Sequence, residues 1–276
     1  IRTENFRVKT VAEFGKDEKA VEMSSLGSEG DPVNMSVGIL GATAANPVTV
    51  KVDLGNGETT PFQIKEERPA TPNIATTRTG AGNIIIYVPQ DKYVTSLESN
   101  GQYIDNIDLS ALTELRILTL KNASLTTIDL SYNNKLEKLD LSNNQLRRVD
   151  LRGPSSYFNK SNLTDINISH NQIDSLLYYT IYGVTKLNVS HNNLNKLDLK
   201  DADNLRMLDI SNNKFTRLLL NHSELIEDIN VANNELTEVK IPPVAPVKKL
   251  NVSGNYFTLA NMPNDFGLTR GNFIYA

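Results

Sequence analysis

Apolar and polar residues alternate with a period of two between residues 33 and 88. Val33, Met35, Val37 and Ile39 are separated by small or polar residues, and so are Val48, Val50, Val52 and Leu54. Such alternation turns one face of a strand to a core and the other to water. Gly55-Asn56-Gly57 follows the second run directly. Asn-Gly tolerates the positive φ of a tight turn, which predicts a hairpin with Phe62 and Ile64 on the returning strand. Residues 83–88 read as a further strand stopped by Pro89, and residues 6–11 as another. Residues 12–32 and 66–82, rich in Gly, Pro, Ser, Thr and Glu, read as loops. The pattern predicts a small antiparallel β-sandwich over residues 1–93.

Beyond residue 93 the period changes. A leading apolar position recurs at Val94, Leu115, Leu136, Leu163, Val184, Leu205, Ile226 and Val247, with a spacing of 21 residues except for 27 between Leu136 and Leu163. Three residues further on stand Leu97, Leu118, Leu139, Ile166, Leu187, Leu208, Ile229 and Leu250. Eight copies in register are beyond chance and predict a stack of coils over residues 94–276. One such coil cannot bury its own apolar face, whereas stacked coils share a continuous core. Each aliphatic side chain fully buried there contributes about 1.5–3 kcal/mol.

The polar positions of the unit have physical tasks too. Asn144, Asn171, Asn192, Asn213, Asn234 and Asn255 stand where the chain turns inward, so that a buried amide can satisfy backbone groups; Gln102 and Ala123 replace it in the first two coils. Losing such a partner costs on the order of 1–3 kcal/mol. A second apolar-polar-apolar triplet follows in most coils, as at residues 128–130, 149–151 and 197–199. With 21 residues per coil there is no room for a helix on the convex side. The chain is therefore predicted to be mainly β, with strands on the concave face and short strands or extended segments on the convex face. After Phe257 the pattern fades, and Leu259, Met262, Phe266, Phe273 and Tyr275 are expected to cap the last coil within residues 258–276.

The unit L-x-x-L-D-L-S-x-N-x-L-x-x-L-D-L, as in Leu136–Leu146, resembles the right-handed leucine-rich-repeat solenoid of the internalin J branch of bacterial surface proteins and of repeat lipoproteins common in Bacteroidetes. The position that carries a cysteine ladder in the former is aliphatic here. Val52-Asp53-Leu54-Gly55-Asn56-Gly57-Glu58 resembles the hairpin of the PKD/Ig-like sandwich that often precedes such repeats, with Leu54 in place of a Trp and Asn56 in place of an Asp. The resemblance implies a secreted or cell-surface anchored, extracytoplasmic protein that recognises a protein or carbohydrate ligand. It also implies that any membrane attachment runs through a lipid anchor outside this chain.

Composition narrows the chemistry. The 276 residues are 39% apolar and 22% charged, with a formal net charge of −4. That balance fits a globular chain, and no block of Lys and Arg points to nucleic acid. There is no cysteine, so disulfides, thiolate metal sites and thiol nucleophiles are excluded. The first residue is Ile1, which implies that the natural start and any leader have been removed. No nucleophile elbow, metalloprotease helix or phosphate loop is present. Asp129, Asp150 and Asp198 are the polar centres of the second triplets. No catalysis and no cofactor are expected, and a monomer is.

Three features are candidates for recognition. The concave face should show Thr119, Asp140, Asn167, Asn188, Asp209, Asn230 and Asn251 down its centre, with Arg116, Lys138, Asp165, Lys186, Arg206, Asp228 and Lys249 beside them. The extra six residues lie within 153–162; they bring Tyr157 and Phe158 beside Tyr179 and Tyr182 on neighbouring loops, and exposed aromatics favour partners or sugar rings. His170 and His191 should stack at roughly the 5 Å strand spacing. A metal site needs a third ligand, and the rest of that column, Asn122, Asn143, Asn212, Asn233 and Gly254, is small and polar, so no metal is expected. Asn-x-Ser/Thr recurs at Asn34, Asn122, Asn159, Asn162, Asn167, Asn188, Asn221 and Asn251, where the repeat itself generates most of the matches. The ligand-binding candidates are therefore Tyr157, Phe158, Tyr179, Tyr182, Asp140, Asn167, Asn188 and Asp209. The alternative is a structural spacer or display scaffold without its own ligand.

Overall fold

The computed structural model describes residues 18–152, 162–258, 260–263, 267–268 and 272–275. Its N-terminal part contains β1 (Glu18–Ser25), β2 (Pro32–Ile39), β3 (Val48–Leu54), β4 (Thr59–Ile64), β5 (Ile74–Thr77), β6 (Ile84–Pro89), β7 (Val94–Asn100) and β8 (Ile104–Ile107). The concave strands that follow are β9 (Ile117–Lys121), β10 (Lys138–Asp140), β12 (Asp165–Asn167), β14 (Lys186–Asn188), β15 (Met207–Asp209), β17 (Asp228–Asn230), β19 (Lys249–Asn251) and β20 (Phe273–Ile274). The convex ones are β11 (Arg148–Asp150), β13 (Ser175–Leu177), β16 (Arg217–Leu219) and β18 (Glu238–Lys240). No helix forms among the described residues.

The expected hairpin is present: β3 and β4 pair antiparallel from Val48↔Ile64 to Asp53↔Thr59. Its positive φ angles fall on Gly55 and Gly57 and not on Asn56. Asp53 Oδ1 holds the turn by accepting the backbone N–H of Gly55, Asn56 and Gly57 at 2.8, 3.2 and 3.0 Å. Two segments read as loops contain strands. β1 lies between β6 and β8, with Val21 and Met23 buried; its alternation is only two apolar residues long amid Glu, Lys and Ser, which hid it. β5 buries only Ile74 and pairs with β2. The strand expected over residues 6–11 lies outside the described residues.

The two grammars meet in one strand. β7 pairs antiparallel with β2 through Val37↔Leu97 and parallel with β9 through Leu97↔Leu118. β2 and β5 therefore belong to the same eleven-stranded sheet as the concave face, while β4-β3-β6-β1-β8 form a second, five-stranded sheet. These N-terminal strands cover the open end of the first coil, which would otherwise expose strand edges and core leucines. At the other end β20 adds one more parallel rung beside β19, and Met262, Leu268 and Phe273 pack on the core. Tyr275 is half exposed, so it does not serve the cap as expected; Leu259 and Phe266 lie outside the described residues.

Within the solenoid the 21-residue register holds: Leu139 faces Leu118 and Ile166 across adjacent rungs, and Leu187 faces Ile166 and Leu208. The asparagine ladder works as anticipated. Asn192 Nδ2 donates to the carbonyls of Ile168, Val189 and Ser190, while its Oδ1 accepts the N–H of Ile173. The residue before each ladder position, Gln102 and Ala123 included, is left-handed: Gly101, Asn122, Asn143, His170, His191, Asn212, Asn233 and Gly254 have φ between 50° and 78°. Glycine and asparagine accept that conformation at least cost, which explains why this column is small and polar.

Candidate ligand-binding face

A groove of about 830 Å³ runs along the concave sheet from Arg68, Pro69 and Glu98 at one end to Asn272 and Ile274 at the other. Asp140, Asn167, Asn188 and Asp209 occupy four successive rungs at its centre, in direct register. The structure thus brings these four candidates together. Tyr179 and Tyr182 are not with them. They line cavities on the convex side, beside Leu176 and Leu177 in one case and Leu151 and Leu163 in the other. Tyr157 and Phe158 lie outside the described residues. The candidates therefore fall on separate surfaces.

Much of the central column's hydrogen-bonding capacity is already committed. Asp140 Oδ1 accepts both the N–H and the Oγ–H of Ser142, at 3.0 and 2.6 Å. Asn167 does the same for Ser169, Asn188 for Ser190, Asp209 for Ser211 and Asn251 for Ser253. The serines at 142, 169, 190 and 211 are buried, so this bond satisfies a hydroxyl that would otherwise be stranded. It also explains the Asn-x-Ser matches at Asn167, Asn188 and Asn251 as a turn motif. Asn230 Nδ2 donates to Asp209 Oδ2 at 3.0 Å. The Nδ2 groups of Asn167 and Asn188 have no protein partner among the described residues. The middle of the face accordingly presents two adjacent amide donors to solvent.

The charges flanking this column divide into two files, which the sequence reading merged. The file nearest the groove is Ile117, Lys138, Asp165, Lys186, Met207, Asp228 and Lys249. Arg116 and Arg206 sit one position earlier and bond outward: Arg116 to Glu137 at 2.9 Å, Arg206 to Glu227 at 3.0 Å. Glu137 also receives Arg68 at 2.7 Å, and Glu227 receives Lys248 at 2.5 Å. Burial pushes the Glu137 carboxyl up, but the bonds from Arg116 and Arg68 outweigh it and hold it below its ordinary value. Such half-exposed pairs contribute little to stability, but they neutralise the outer file. Met207 in the inner file is 43% exposed, an apolar spot among the charged residues of that file.

Arg68 and Pro69 were not foreseen as part of this face. They reach it because the Glu67 carbonyl accepts the hydroxyls of Thr95 and Ser96 and lies directly over Gly38. A Cβ at Gly38 would stand 1.8 Å from that oxygen. A glycine inside an alternating strand is a sign of such close approach, so this crossing left a trace in the sequence.

On the convex side, Tyr179 and Tyr182 are 45% and 59% exposed. The Arg152 guanidinium lies 5.9 Å from the Tyr179 ring centre, a cation–π contact. Hydrogen bonds from Arg152, then Arg148, hold Asp150 down to about 2 despite partial burial. Tyr178 is half-buried; its hydroxyl accepts the N–H of Asp198 at 2.8 Å and donates to the Asp198 carbonyl at 2.6 Å. Burial pushes this phenol up to about 12. Asp129, Asp150 and Asp198 cap turns, accepting the N–H two residues on. They are turn formers and not paired acids.

This architecture is a leucine-rich-repeat solenoid, a scaffold that generally binds partners and does not catalyse. The Leucine Rich Repeat family model matches residues 135–157 and 204–224. No curated protein matches the sequence. Among solved structures, the leucine-rich-repeat domain of APL1B is similar, with a TM-score of 0.54 and 22% identity over 66% of this chain and 53% of that one. The functional domain of InlJ from Listeria monocytogenes, which includes a cysteine ladder, gives 0.44 and 22% over 65% of this chain and 48% of that one. The leucine-rich-repeat ectodomain of the membrane receptor kinase GASSHO1/SCHENGEN3 from Arabidopsis thaliana, in complex with CASPARIAN STRIP INTEGRITY FACTOR 2, gives 0.46 and 20% over 60% and 21%. The chain spans about half the length of the first two of these relatives.

Proposed function

We propose that the chain is a non-catalytic binding protein that receives an extended polypeptide segment in its concave groove. The groove of about 830 Å³ carries this reading, because its centre holds two uncommitted amide donors, Asn167 and Asn188, next to the exposed Met207. Amide donors suit backbone or side-chain carbonyls, and a thioether suits an apolar side chain. No aromatic residue lines the groove among the described residues, which favours a peptide there over a sugar ring needing a stacking surface. We read the N-terminal strands as a PKD/Ig-like sandwich that caps and spaces the solenoid. The repeat's resemblance to bacterial surface proteins supports an extracytoplasmic, anchored location. Exposed Tyr179 and Tyr182 beside Arg152 support a second reading, in which the convex side contacts a partner or a glycan.

The test is a screen of the whole chain against displayed linear peptides and a glycan array. Asn167→Asp with Asn188→Asp keeps the oxygen that holds the serine turn and removes the donor. Loss of peptide binding in that variant, with binding retained in Tyr179→Ala/Tyr182→Ala, supports the groove. The opposite result moves the site to the convex side, and the absence of any ligand leaves the chain a spacer.

A further inference from the structure

The inner file of the concave groove carries its charges in a fixed order. From β10 to β19 it reads Lys138, Asp165, Lys186, Met207, Asp228 and Lys249, one residue per rung. Several charges cancel. Lys186 Nζ stands 3.6 Å from Asp165 Oδ1, and Lys121 Nζ stands 3.7 Å from Asp140 Oδ2 in the central column. Toward β7, Glu137 holds both Arg68 and Arg116, and Glu98 in the groove offsets the cation left over. Lys138 is exposed and forms no ion pair among the described residues. Asp228 forms none there either. Asp209, one rung earlier in the central column, is bonded only by the neutral Ser211 and Asn230. Lys249 answers one of these two carboxylates, so one negative charge remains. The groove is therefore dipolar, with a free cation on β10, a free negative charge at β15 and β17, and the exposed Met207 between them in the file.

We propose that the groove selects its polypeptide by this order, a selectivity that rests on the groove being the polypeptide site. The partner carries an acidic side chain against Lys138, an apolar one on Met207 and a basic one against Asp228, spaced as acid-x-x-x-apolar-x-base. The spacing follows from the two repeats that meet. Neighbouring rungs lie about 4.8 Å apart, and an extended chain advances about 3.4 Å per residue. Lys138 and Met207 are three rungs apart, about 14 Å, which a chain lying along the groove spans in about four residues. Asp228 is one rung further, about 19 Å from Lys138 and about six residues along the partner. Both offsets are even, and alternate side chains of an extended chain share a face, so all three contacts point into the groove together.

The rungs between Lys138 and Met207 carry the two open amide donors, Asn167 and Asn188. They meet the partner's main-chain carbonyls between its acidic and apolar residues. The unequal spacing makes the order readable in either chain direction: the acid is the charge far from the apolar residue, and the base is the near one. Exposed opposite charges contribute little affinity. The reversed order is rejected, because it sets a base on Lys138 and an acid beside Asp209 and Asp228, and like charges in contact are costly.

The experiment selects peptides from a displayed random library on the whole chain and, in parallel, on Lys138→Glu/Asp228→Lys. The parent is expected to enrich acid-x-x-x-apolar-x-base, read in either direction, and the charge-reversed variant base-x-x-x-apolar-x-acid. One selected peptide is then synthesised with its acid and base exchanged. Binding of the exchanged peptide to the parent should weaken at least about tenfold and recover on the variant. Coinciding unfolding curves exclude a folding effect, and if the variant departs, the exchange on the parent alone decides. Peptides that are lost in Asn167→Asp/Asn188→Asp but enrich without this order, or in the same order on both proteins, overturn the charge order and leave the groove as the site. If no selected peptide depends on Asn167 and Asn188, the charge order and the groove reading fall together.

Discussion

On the concave face every coil is hydrogen-bonded to the next from β7 to β20, whereas on the convex face, among the described residues, only β11 with β13 and β16 with β18 form ladders. Both faces come from the same 21-residue unit, and both carry apolar-polar-apolar triplets. The difference lies in what stands between neighbouring coils. Concave triplets are followed by the Asp/Asn-x-Ser turn and the buried asparagine, which repeat at a fixed offset and hold successive main chains at bonding distance. Convex triplets end in turns capped by Asp129, Asp150 and Asp198, and their surroundings vary from coil to coil. Between the fourth and fifth coils the Tyr178 hydroxyl takes the place of a ladder bond by spanning both polar groups of Asp198.

Leu187→Asp attacks the core that both faces share. Leu187 is 2% exposed, and an unpaired charge there costs several kcal/mol, comparable to the about 5–15 kcal/mol that holds a domain folded. Loss of the cooperative thermal transition is expected. A folded variant with unchanged melting would remove Leu187 from the core and break the register. Asn192→Ala should discriminate between the faces. It strands the N–H of Ile173 and removes one of the donors to the carbonyls of Ile168, Val189 and Ser190, which keep Asn171, Asn213 and the His170 N–H, so a loss of about 1–3 kcal/mol is expected by denaturant unfolding, with hydrogen exchange rising along the concave rungs first.

A smaller effect is expected from Tyr178→Phe, which deletes only the convex bridge. The loss should be about 1 kcal/mol or less, because water replaces the hydroxyl at an exposed site. The Asp198 amide should exchange faster while concave amides keep their protection; equal loosening of both faces would contradict the separation drawn above. The smallest effect concerns Asp150. Its folded value of about 2 lies below the ordinary 3.8, so its stabilising contribution is present above about pH 4 and lost as pH falls toward 2. Screening at this half-exposed site keeps it under about 1 kcal/mol. Asp150→Asn should flatten that part of the acid unfolding profile, and an unchanged profile would assign the acid sensitivity elsewhere.

The reading of the chain succeeded where a rule is local and repeated. Leucines every 21 residues force a stacked core because no single coil can bury them, and the ladder asparagines must face inward because the turn leaves backbone groups to satisfy. The positive φ of the rim column was legible in its Asn, His and Gly composition, though it was read only as polarity. Half of the candidate site was legible as well: Asp140, Asn167, Asn188 and Asp209 share one face by periodicity alone. Arg116 and Arg206 were placed in the wrong file, although they stand one residue after Leu115 and Leu205 while the other members stand two residues after their leading positions.

By itself, then, the sequence determined the repeat, its register and the buried positions, because these follow from burial and from hydrogen-bond satisfaction within one coil and its neighbour. The tertiary structure decided what depends on distant segments meeting. It joined β7 to both β2 and β9, laid Glu67 over Gly38 so that Arg68 enters the groove, and separated Tyr179 and Tyr182 from the concave candidates. It also left two amide donors free at the centre. Each of these rests on a contact between residues far apart in the chain, and no local pattern specifies such a contact.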